Sequence, residues 1–328
     1  MSRVSQIAVG PDEGGMRVDR WFQARYPTLG HGHLQKLLRT GQVRVDGKRV
    51  KANARLEAGQ TIRVPPIAGG GSGTDKKPSA PRSLNAADRA LLHDARLYED
   101  ESLLVLNKPA GLAVQGGSKT VRHIDGMLMA LEPETGARWR LVHRLDRETS
   151  GVLLIAKTRQ AAAELGKAFQ TRSVLKVYWA VTLGVPKPLQ GRIDLPLIKA
   201  QGPGGETIRP AQEHERKAAD LAVTHYNVVD QAGSKLAWVT LKPSTGRQHQ
   251  LRVHLAALGT PIAGDDKYGG DREMPASLDS RLHLHARRVS FAHPITGDKV
   301  DVTAPLPAHM TESFAFLGFA ADHTVDDA

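Results

Sequence analysis

The sequence predicts an α+β protein in which a small α/β domain precedes a large domain built on a mixed, largely antiparallel sheet with flanking helices. The first observation is a stretch at residues 65–78 where Gly, Pro and Ser replace any apolar periodicity, as is typical of a linker. The second is that, beyond this stretch, short apolar or alternating segments outnumber helical ones. We therefore expect a small domain at residues 15–65, a flexible linker at residues 66–84 and a large domain at residues 85–320.

Four segments of the small domain show regular spacing. Residues 18–22 and 33–39 carry apolar side chains at helical intervals. Residues 43–50 alternate on both sides of Asp46-Gly47, a pair that favours a type I′ hairpin turn, and residues 60–64 form a further alternating strand. The small domain should therefore consist of two helices followed by a short sheet.

The large domain alternates strands with a few helices. The strand at residues 152–156 is apolar throughout, as is typical of a strand buried on both faces. Ser244-Thr245-Gly246 offers an N-cap, so one helix should begin just after it. Strands are expected at residues 102–106, 152–156, 175–181 and 236–241, and helices at residues 161–169 and at the segment that carries Leu251, Leu255 and Leu258.

The composition favours a protein that acts on a polyanion. The 328 residues include 45 Lys and Arg against 34 Asp and Glu, and the resulting net charge of +11 attracts nucleic acid or an acidic membrane surface. No apolar run approaches the roughly 18 residues of a membrane-spanning helix. The absence of Cys excludes disulfides, thiolate metal sites and a Cys nucleophile. We therefore expect a cytoplasmic protein without a membrane partner, and the lack of an obvious apolar surface stripe favours a monomer.

Positive charge is concentrated in the small domain. Between Arg17 and Arg63 there are eleven Lys and Arg against three acidic residues. A solvated charged surface is the ordinary explanation of a charge run, but the one-sided sign in so small a domain favours a surface that binds phosphates. The candidate phosphate-binding side chains are those of Lys36, Arg39, Arg44 and Lys48.

The segment at residues 143–151 places Asp146 beside His143, Arg144 and Arg147, directly before an apolar run. Neighbouring positive charge stabilises an ionised carboxylate and lowers its pKa, which suits a nucleophile better than a proton donor. A structural ion pair with Arg144 or Arg147 is the alternative, since such pairs shift pKa values as readily as active sites do. Asp146 is therefore a candidate nucleophile, and residues elsewhere in the chain decide between this interpretation and the ion pair.

Two further segments could meet Asp146 in a cleft. Tyr178 lies on the face of its strand opposite the apolar side chains, although a Tyr in the core would also fit that pattern. Arg247 stands at the expected helix start, and His249 and Arg252 share one helical face. A solvated basic helix end is the alternative for this segment.

The longest motifs resemble those of one enzyme family. Residues 141–151, LVHRLDRETSG, and residues 246–254, GRQHQLRVH, are similar to the two signature motifs of the RluA family of pseudouridine synthases. Shorter matches, among them NKPAG at residues 107–111, extend the similarity over nearly all of residues 95–300. The small domain resembles an RNA-binding domain first described in a small-subunit ribosomal protein. Its presence favours the RluC branch of the family, although Gln115 stands where many relatives have His.

The resemblance implies an isomerase that breaks the glycosidic bond of a uridine in large-subunit ribosomal RNA, rotates the uracil and rejoins it through a carbon atom, without a cofactor or a metal. Asp146 would be the nucleophile, and whether it attacks the sugar or the base, or first removes a sugar proton, stays open. Tyr178 would pack against the base and act in proton removal, and Arg247 would pair with Asp146. Arg144 would fill the gap that the extruded uridine leaves in the RNA stack, and Leu251 would line the base pocket.

Three other functions fit parts of the pattern. A glycoside hydrolase or nucleosidase would need a second carboxylate in the cleft, for which Glu148 is the nearest candidate. A metal-dependent nuclease would need clustered ligands, for which Asp265-Asp266 with His283 and His285 is the best set. An RNA-binding assembly factor would use both domains only to hold ribosomal RNA.

Overall fold

The structure is a computed structural model that describes residues 4–26, 29–67, 84–116, 120, 122–136, 139–202 and 205–321. The chain divides into two compact units, Met1–Ala80 and Pro81–Ala328. The predicted flexible linker at residues 66–84 lies outside the described residues except at positions 66, 67 and 84. Within the described ranges, no helix is both long enough and apolar enough to cross a membrane.

Two helices and four short strands form the small unit, together with a 3₁₀ turn at Pro11–Glu13. In chain order the elements are β1 (Ser5–Ala8), α1 (Val18–Arg25), α2 (His31–Arg39), β2 (Arg44–Val45), β3 (Lys48–Arg49) and β4 (Thr61–Val64). The strands pair antiparallel in the order β1-β4-β2-β3. The two predicted helices and the predicted strands are confirmed.

The core of the small unit forms around the helical spacing seen in the sequence. Trp21 and Phe22 are fully buried, and their rings meet edge to face with centroids 5.1 Å apart. Asp46 and Gly47 have φ angles of +47° and +75°, as a type I′ turn requires at both of its central residues. Gly47 takes such an angle without strain, and the predicted hairpin is confirmed.

Strand β1 lies outside the predicted limits of the small domain, which began at residue 15. It pairs with β4 over four residues, so the small unit includes chain that precedes the first helix. This strand was not predicted because only Ile7 is partly buried among its four residues, and an edge strand with that exposure has no alternating pattern to detect.

The large unit contains five helices, twelve strands and a 3₁₀ turn at Glu213–Glu215 within its described residues. The first half comprises α3 (Ala86–Asp94), β5 (Arg96–Glu99), β6 (Leu103–Lys108), α4 (Ile124–Thr135), β7 (Arg140–Leu141), β8 (Ser150–Ala156), α5 (Arg159–Gln170) and β9 (Leu175–Leu183). The second half comprises β10 (Gln190–Asp194), β11 (Leu197–Gly202), β12 (Gly205–Pro210), β13 (Val223–Ala232), β14 (Leu236–Pro243), α6 (Gln250–Ala257), β15 (Leu284–Ala292), β16 (Lys299–Thr303) and α7 (Ala308–Leu317).

One sheet of ten strands organises the large unit. Eight of its strands follow the order β10-β13-β14-β9-β15-β8-β6-β5, while β16 pairs with β15 and β7 pairs with β8. Every pairing is antiparallel except that of β8 with β15. The predicted α+β class with a mixed, largely antiparallel sheet is confirmed.

Strand β8 is buried along its whole length, as its continuous apolar run predicted. Leu153 and Ile155 pack into one core cluster, and Val152 and Leu154 pack into another on the opposite face of the sheet. Such two-sided burial fixes the strand firmly. The loop that carries Asp146 therefore leads directly into a rigid part of the sheet.

The register of three strands positions the functional segments. Ala286 of β15 is opposite Gly151 of β8 on one side and opposite Tyr178 of β9 on the other. Tyr178 is on the same face of β9 as Ala180, as predicted, while Val177 and Trp179 pack on the other face against α7. The start of β8 and the middle of β9 are thereby held one strand apart.

Candidate active site

A cavity of about 630 Å³ opens beside the start of β8, the middle of β9 and the turn before α6. Asp146 is the only acidic residue among the described residues that line it. Five cationic side chains share the lining, those of Arg144, Arg172, Lys176, Arg247 and Arg252. The three segments predicted to meet in a cleft do so, and the cavity is strongly positive around a single carboxylate.

Asp146 is held by the turn that leads into β8. The backbone N–H of Thr149 donates to the Asp146 carbonyl oxygen at 3.2 Å, and β8 begins at the next residue. Gly151 has a φ of +107°, and a Cβ atom there would lie 2.2 Å from the Ala286 carbonyl oxygen. Only glycine fits so close an approach. The loop that carries Asp146 is therefore anchored by a backbone contact between β8 and β15.

Lys108, a residue that the sequence did not point to, holds the same loop through a hydrogen bond to its backbone. Its fully buried ammonium group donates to the carbonyl oxygens of Pro109, Leu112 and Arg147 at 2.8, 2.8 and 3.0 Å. Burial lowers its pKa to about 7, while the negative charges of Glu148 and Asp146 act to raise it. Three carbonyl acceptors require the protonated form, which alone has three N–H donors.

His143 is a structural residue of the loop. Its Nε2 accepts from the backbone N–H of Leu154 at 2.8 Å, and its ring stacks on Phe169 with centroids 4.9 Å apart. Burial and the positive charge of Lys176 lower the pKa of His143 to about 3. The imidazole is therefore neutral and adds no charge to the cavity.

The two arginines that flank Asp146 in sequence point to other partners. Arg144 is exposed and lines the cavity. Arg147 donates from Nε to the Gly111 carbonyl oxygen at 3.0 Å and lies 3.3 Å from the Glu148 carboxylate. The alternative interpretation of Asp146, as one half of a local ion pair with Arg144 or Arg147, is therefore wrong.

Tyr178 and Leu251 lie in the same cavity as Asp146. Both line the cavity, and Tyr178 packs against the core cluster that contains Leu251 and Leu284. Burial and the negative charge of Asp146 raise the pKa of Tyr178 above its usual range. The phenol is therefore protonated at neutral pH, and it forms an apolar wall of the cavity with the two leucines.

The structure corrects the predicted partner of Arg247. Its guanidinium lies 3.1 Å from the Asp220 carboxylate and donates to the Leu221 carbonyl oxygen at 3.1 Å, rather than pairing with Asp146. The reason is local: α6 begins at Gln250, so Arg247 belongs to the preceding turn and not to the helix start. The N-cap is His249, with a φ of +53°, and not one of the residues at 244–246.

His249 and Arg252 are the basic residues of this segment that act on Asp146. His249 Nε2 lies 3.9 Å from Asp146 Oδ1, and its Nδ1 shares a hydrogen bond of 2.7 Å with the Tyr268 hydroxyl. Burial lowers the pKa of His249, although the charge of Asp146 opposes that shift. Burial also disfavours the charge of Arg252, but its hydrogen bonds to Asp265 and the negative charges of Asp265 and Asp146 raise its pKa.

The four basic residues singled out in the small unit are all exposed. Lys36 and Arg39 project from α2, and Lys48 lies in β3. Arg44 differs from them because its guanidinium donates to the carbonyl oxygens of Gly41 and Gly47, both at 3.1 Å. Arg44 therefore also stabilises the hairpin.

The residues expected for a hydrolase or a nuclease have other roles. Glu148 pairs with Arg147 and does not line the cavity. Asp265 accepts two hydrogen bonds from Arg252, while His283 shares hydrogen bonds with Arg281 and Ser313. His285 shares one with Ser150. Across the described ranges, no group of three or more His, Cys, Asp or Glu side chains is arranged to hold a metal ion.

Comparison with known sequences identifies relatives over nearly the whole chain. Residues 102–257 match the RNA pseudouridylate synthase family. The chain is 36% identical over 317 residues to the ribosomal large subunit pseudouridine synthase C of Vibrio cholerae, covering 95% of this chain and 96% of the relative. It is 38% identical over 314 residues to the protein of the same name from Escherichia coli, covering 92% and 93%. These names confirm the resemblance to the RluC branch.

Solved structures show the same relationship. Human RNA pseudouridylate synthase domain containing 4 superposes with a TM-score of 0.57 at 32% identity, covering 71% of this chain and 95% of that one. Human RNA pseudouridylate synthase domain containing 1 superposes with a TM-score of 0.53 at 29% identity, covering 65% and 83%. With this fold, this cavity and relatives that match it from end to end, the chain belongs to the RNA pseudouridylate synthase family.

Proposed function

We propose that this protein converts uridines of large-subunit ribosomal RNA to pseudouridine, with Asp146 as the nucleophile. The observation that carries the proposal is the cavity itself, in which one carboxylate faces a protonated Tyr178 and is surrounded by cations. The relatives named for the large ribosomal subunit support the choice of RNA. The reaction is an isomerisation, so it is balanced without an oxidant, a reductant or a second substrate.

The charges of the cavity suit a nucleotide that has left its helix. An enzyme that acts on a base must extrude it from the stack, which costs a few kcal/mol. Arg144 is exposed at the cavity, and a planar guanidinium can stack in the position that the base vacates. The remaining cations can bind the phosphates on either side.

The side chains around Asp146 divide the chemical work. Tyr178 and Leu251 provide the apolar surface against which the uracil packs. The role of Tyr178 in proton removal, which the resemblance implies, would require its hydroxyl to lose its own proton first, and the raised pKa of Tyr178 opposes that loss. Arg252, rather than Arg247, is the cation that interacts with Asp146, because the negative charge of Asp146 helps to raise the pKa of Arg252. After the glycosidic bond breaks, contact with Tyr178 and Leu251 would keep the uracil in the cavity while it rotates.

The exposed cations of the small unit provide a separate surface for RNA in this proposal. Lys36, Arg39 and Lys48 are free to contact phosphates, and Arg44 contributes charge while it supports its hairpin. Such contacts raise affinity without reading sequence. The protein would act as a monomer in the cytoplasm without a cofactor, and light scattering of the purified protein at micromolar concentration tests the monomer.

The test is pseudouridine formation by wild-type protein and by Asp146→Asn. A ribosomal RNA transcript is incubated with each protein in EDTA, and pseudouridine is detected by its stable carbodiimide adduct. The wild type should form product and Asp146→Asn should form none while binding the RNA with unchanged affinity. Glu148→Gln is the matched control, because this acid lies two residues away and outside the cavity lining. Binding by the wild type without product would instead support a non-catalytic assembly factor.

A further inference from the structure

We infer that Lys176 and Arg172 form a second subsite in the active-site cavity, which binds a backbone phosphate of the nucleotide next to the target uridine. The inference rests on the proposed function, because it takes the site of Asp146 and Tyr178 as the uridine site. Both cations line the same cavity as these two residues. The proposed function gives the cavity cations a general attraction to phosphates but defines no subsite for these two.

Lys176 is placed by the strand that carries Tyr178. The two residues are separated by one position on β9, so their side chains project from the same face of the sheet. At a rise of about 3.3 Å per residue, their Cα atoms lie about 7 Å apart. A base that packs against Tyr178 therefore has Lys176 on its flank, and a lysine side chain is long enough to reach the neighbouring sugar-phosphate unit.

Neither cation has a protein counter-charge. In the described part of the chain, no carboxylate lies within ion-pairing distance of Lys176 or Arg172, whereas Arg247 pairs with Asp220 and Arg252 with Asp265 in the same cavity wall. Burial and the positive charge of Arg172 lower the pKa of Lys176. Two unpaired cations that repel each other in a partly enclosed site form a site for an anion.

The backbone at Arg172 supports the same conclusion. Arg172 follows Thr171, the C-cap of α5, and has a φ of +61°, a conformation that glycine usually provides after a helix. An arginine in this conformation is strained, because its Cβ atom lies too close to the following carbonyl oxygen. The dipole of α5 favours a cation at this end of the helix. It does not explain the second cation on β9, whereas a phosphate between the two explains both.

The cavity lining also contains uncharged side chains near Lys176 and Arg172. His143 and Phe169 form a stacked ring pair beside Lys176, and the low pKa of His143 keeps that pair neutral. Gln170 adds an amide that can donate to a phosphate oxygen. A guanidinium fork and an ammonium group together provide charge-assisted hydrogen bonds to a phosphodiester.

The experiment combines variants of the subsite with a substrate that lacks one charge. Short RNA stem-loops carry the target uridine and a single methylphosphonate linkage, placed in turn at each position around it. Binding to wild type, Lys176→Met, Lys176→Arg and Arg172→Gln is measured by fluorescence anisotropy at several salt concentrations, together with single-turnover pseudouridine formation. Lys235→Met is the matched control, because Lys235 is exposed beside Leu236, which pairs with Leu183 at the opposite end of β9.

Lys176→Met should weaken binding about tenfold and make the slope of log K against log salt shallower by about 0.7, the value for one single-strand phosphate contact. Neutralising the one linkage whose phosphate occupies the subsite should weaken binding to the wild type by a similar factor. The same change should weaken binding to Lys176→Met very little, because that contact is already lost. Lys176→Arg should retain most of the affinity, and Lys235→Met should behave like the wild type. Unchanged melting temperatures would exclude misfolding as the cause of the loss.

Three results would overturn the inference. The first is that each neutral linkage reduces the RNA affinity of wild type and of Lys176→Met by the same factor. The second is competition by millimolar inorganic phosphate with no dependence on any linkage, which would indicate a free-anion site. The third is affinity that falls only in parallel with thermal stability. A failure of the proposed function would be recognised separately, because wild type would then bind the stem-loop without forming pseudouridine. The effect of each neutral linkage on binding could still be compared between wild type and Lys176→Met.

Discussion

Arg252 holds the Asp265 carboxylate through two hydrogen bonds, from Nε at 2.8 Å and from Nη2 at 2.5 Å. The two side chains are 5% and 0% exposed. The pair fixes a guanidinium in the cavity wall, where its charge also acts on Asp146. Asp265 thus orients the cation, and Arg252 acts on the proposed nucleophile.

Substitution of Arg252 should therefore affect both stability and turnover. Arg252→Met leaves the Asp265 carboxylate buried without a partner, and the free energy of unfolding should fall by about 3–5 kcal/mol. Arg252→Lys keeps the charge but loses the two-point geometry, so it should be less destabilising and still impair turnover. Urea unfolding and single-turnover assays measure the two effects. Wild-type turnover in Arg252→Lys would show that only the charge matters.

Arg247 should behave differently from Arg252. Its guanidinium is 43% exposed and pairs with an Asp220 side chain that is 66% exposed, and such surface pairs contribute at most about 1 kcal/mol. Arg247→Met should weaken RNA binding about threefold to tenfold and leave turnover at saturating RNA nearly unchanged. A loss of turnover as large as that of Arg252→Met would restore Arg247 as the partner of Asp146 in the RNA complex.

Lys108 should act as a positioning residue. Lys108→Met keeps the buried volume but leaves the carbonyl oxygens of Pro109, Leu112 and Arg147 without their donor, and each unsatisfied buried acceptor costs about 1–3 kcal/mol. We expect a clear loss of thermal stability and a fall in the single-turnover rate with the RNA affinity retained. Reduced affinity with an unchanged rate would place Lys108 in substrate binding instead.

Stability should fall in weak acid because of three buried histidines. Burial lowers the pKa values of His143, His283 and His285 to about 3, 4 and 3, whereas the unfolded chain titrates near 6.5. The unfolded state therefore binds more protons below pH 6.5, so the stabilisation is complete above that pH and is lost as the pH falls towards 4. Together the three should remove about 4 kcal/mol by pH 5.5.

Urea unfolding at pH 7.5, 6.5 and 5.5 measures this loss. His143→Gln, whose amide oxygen can still accept from Leu154, should make the dependence on pH shallower by about one proton. His93→Gln is the control because His93 is exposed and should leave the slope unchanged. Equal slopes for all three proteins would contradict the assignment to buried histidines.

Neutralising the exposed cations of the small unit should separate binding from chemistry. A triple change of Lys36, Arg39 and Lys48 to Gln should weaken binding to ribosomal RNA and make its salt dependence shallower, because each lost phosphate contact removes a released counterion. Turnover on a short stem-loop should be unchanged. Arg44 is left intact because its hydrogen bonds support the hairpin. Reduced turnover at saturating RNA would contradict this division of labour.

Local patterns in the sequence predicted those parts of the fold that depend on local chemistry. The continuous apolar run of β8 and the alternation around Tyr178 were sufficient to assign both strands and the faces of the second. The start of α6 was missed because it depends on an unusual φ angle at His249. The support from Lys108 was missed because one of its acceptors, Arg147, is 39 residues away along the chain. The partner of Arg247 was missed for the same reason, since Asp220 belongs to another segment.

The contact of Gly151 with Ala286 joins two strands that are far apart in the chain, so it affects when the enzyme can become active during synthesis. Ser150 and His285, the neighbouring pair in the same parallel register, are separated by 135 residues. Contacts of such long range form slowly and only when both partners are available. On the ribosome, a nascent chain that has not yet exposed β15 already contains both signature motifs and the proposed nucleophile. It cannot yet hold Asp146 and Tyr178 in register, so enzymatic activity should begin only after β15 has emerged and paired with β8 and β9.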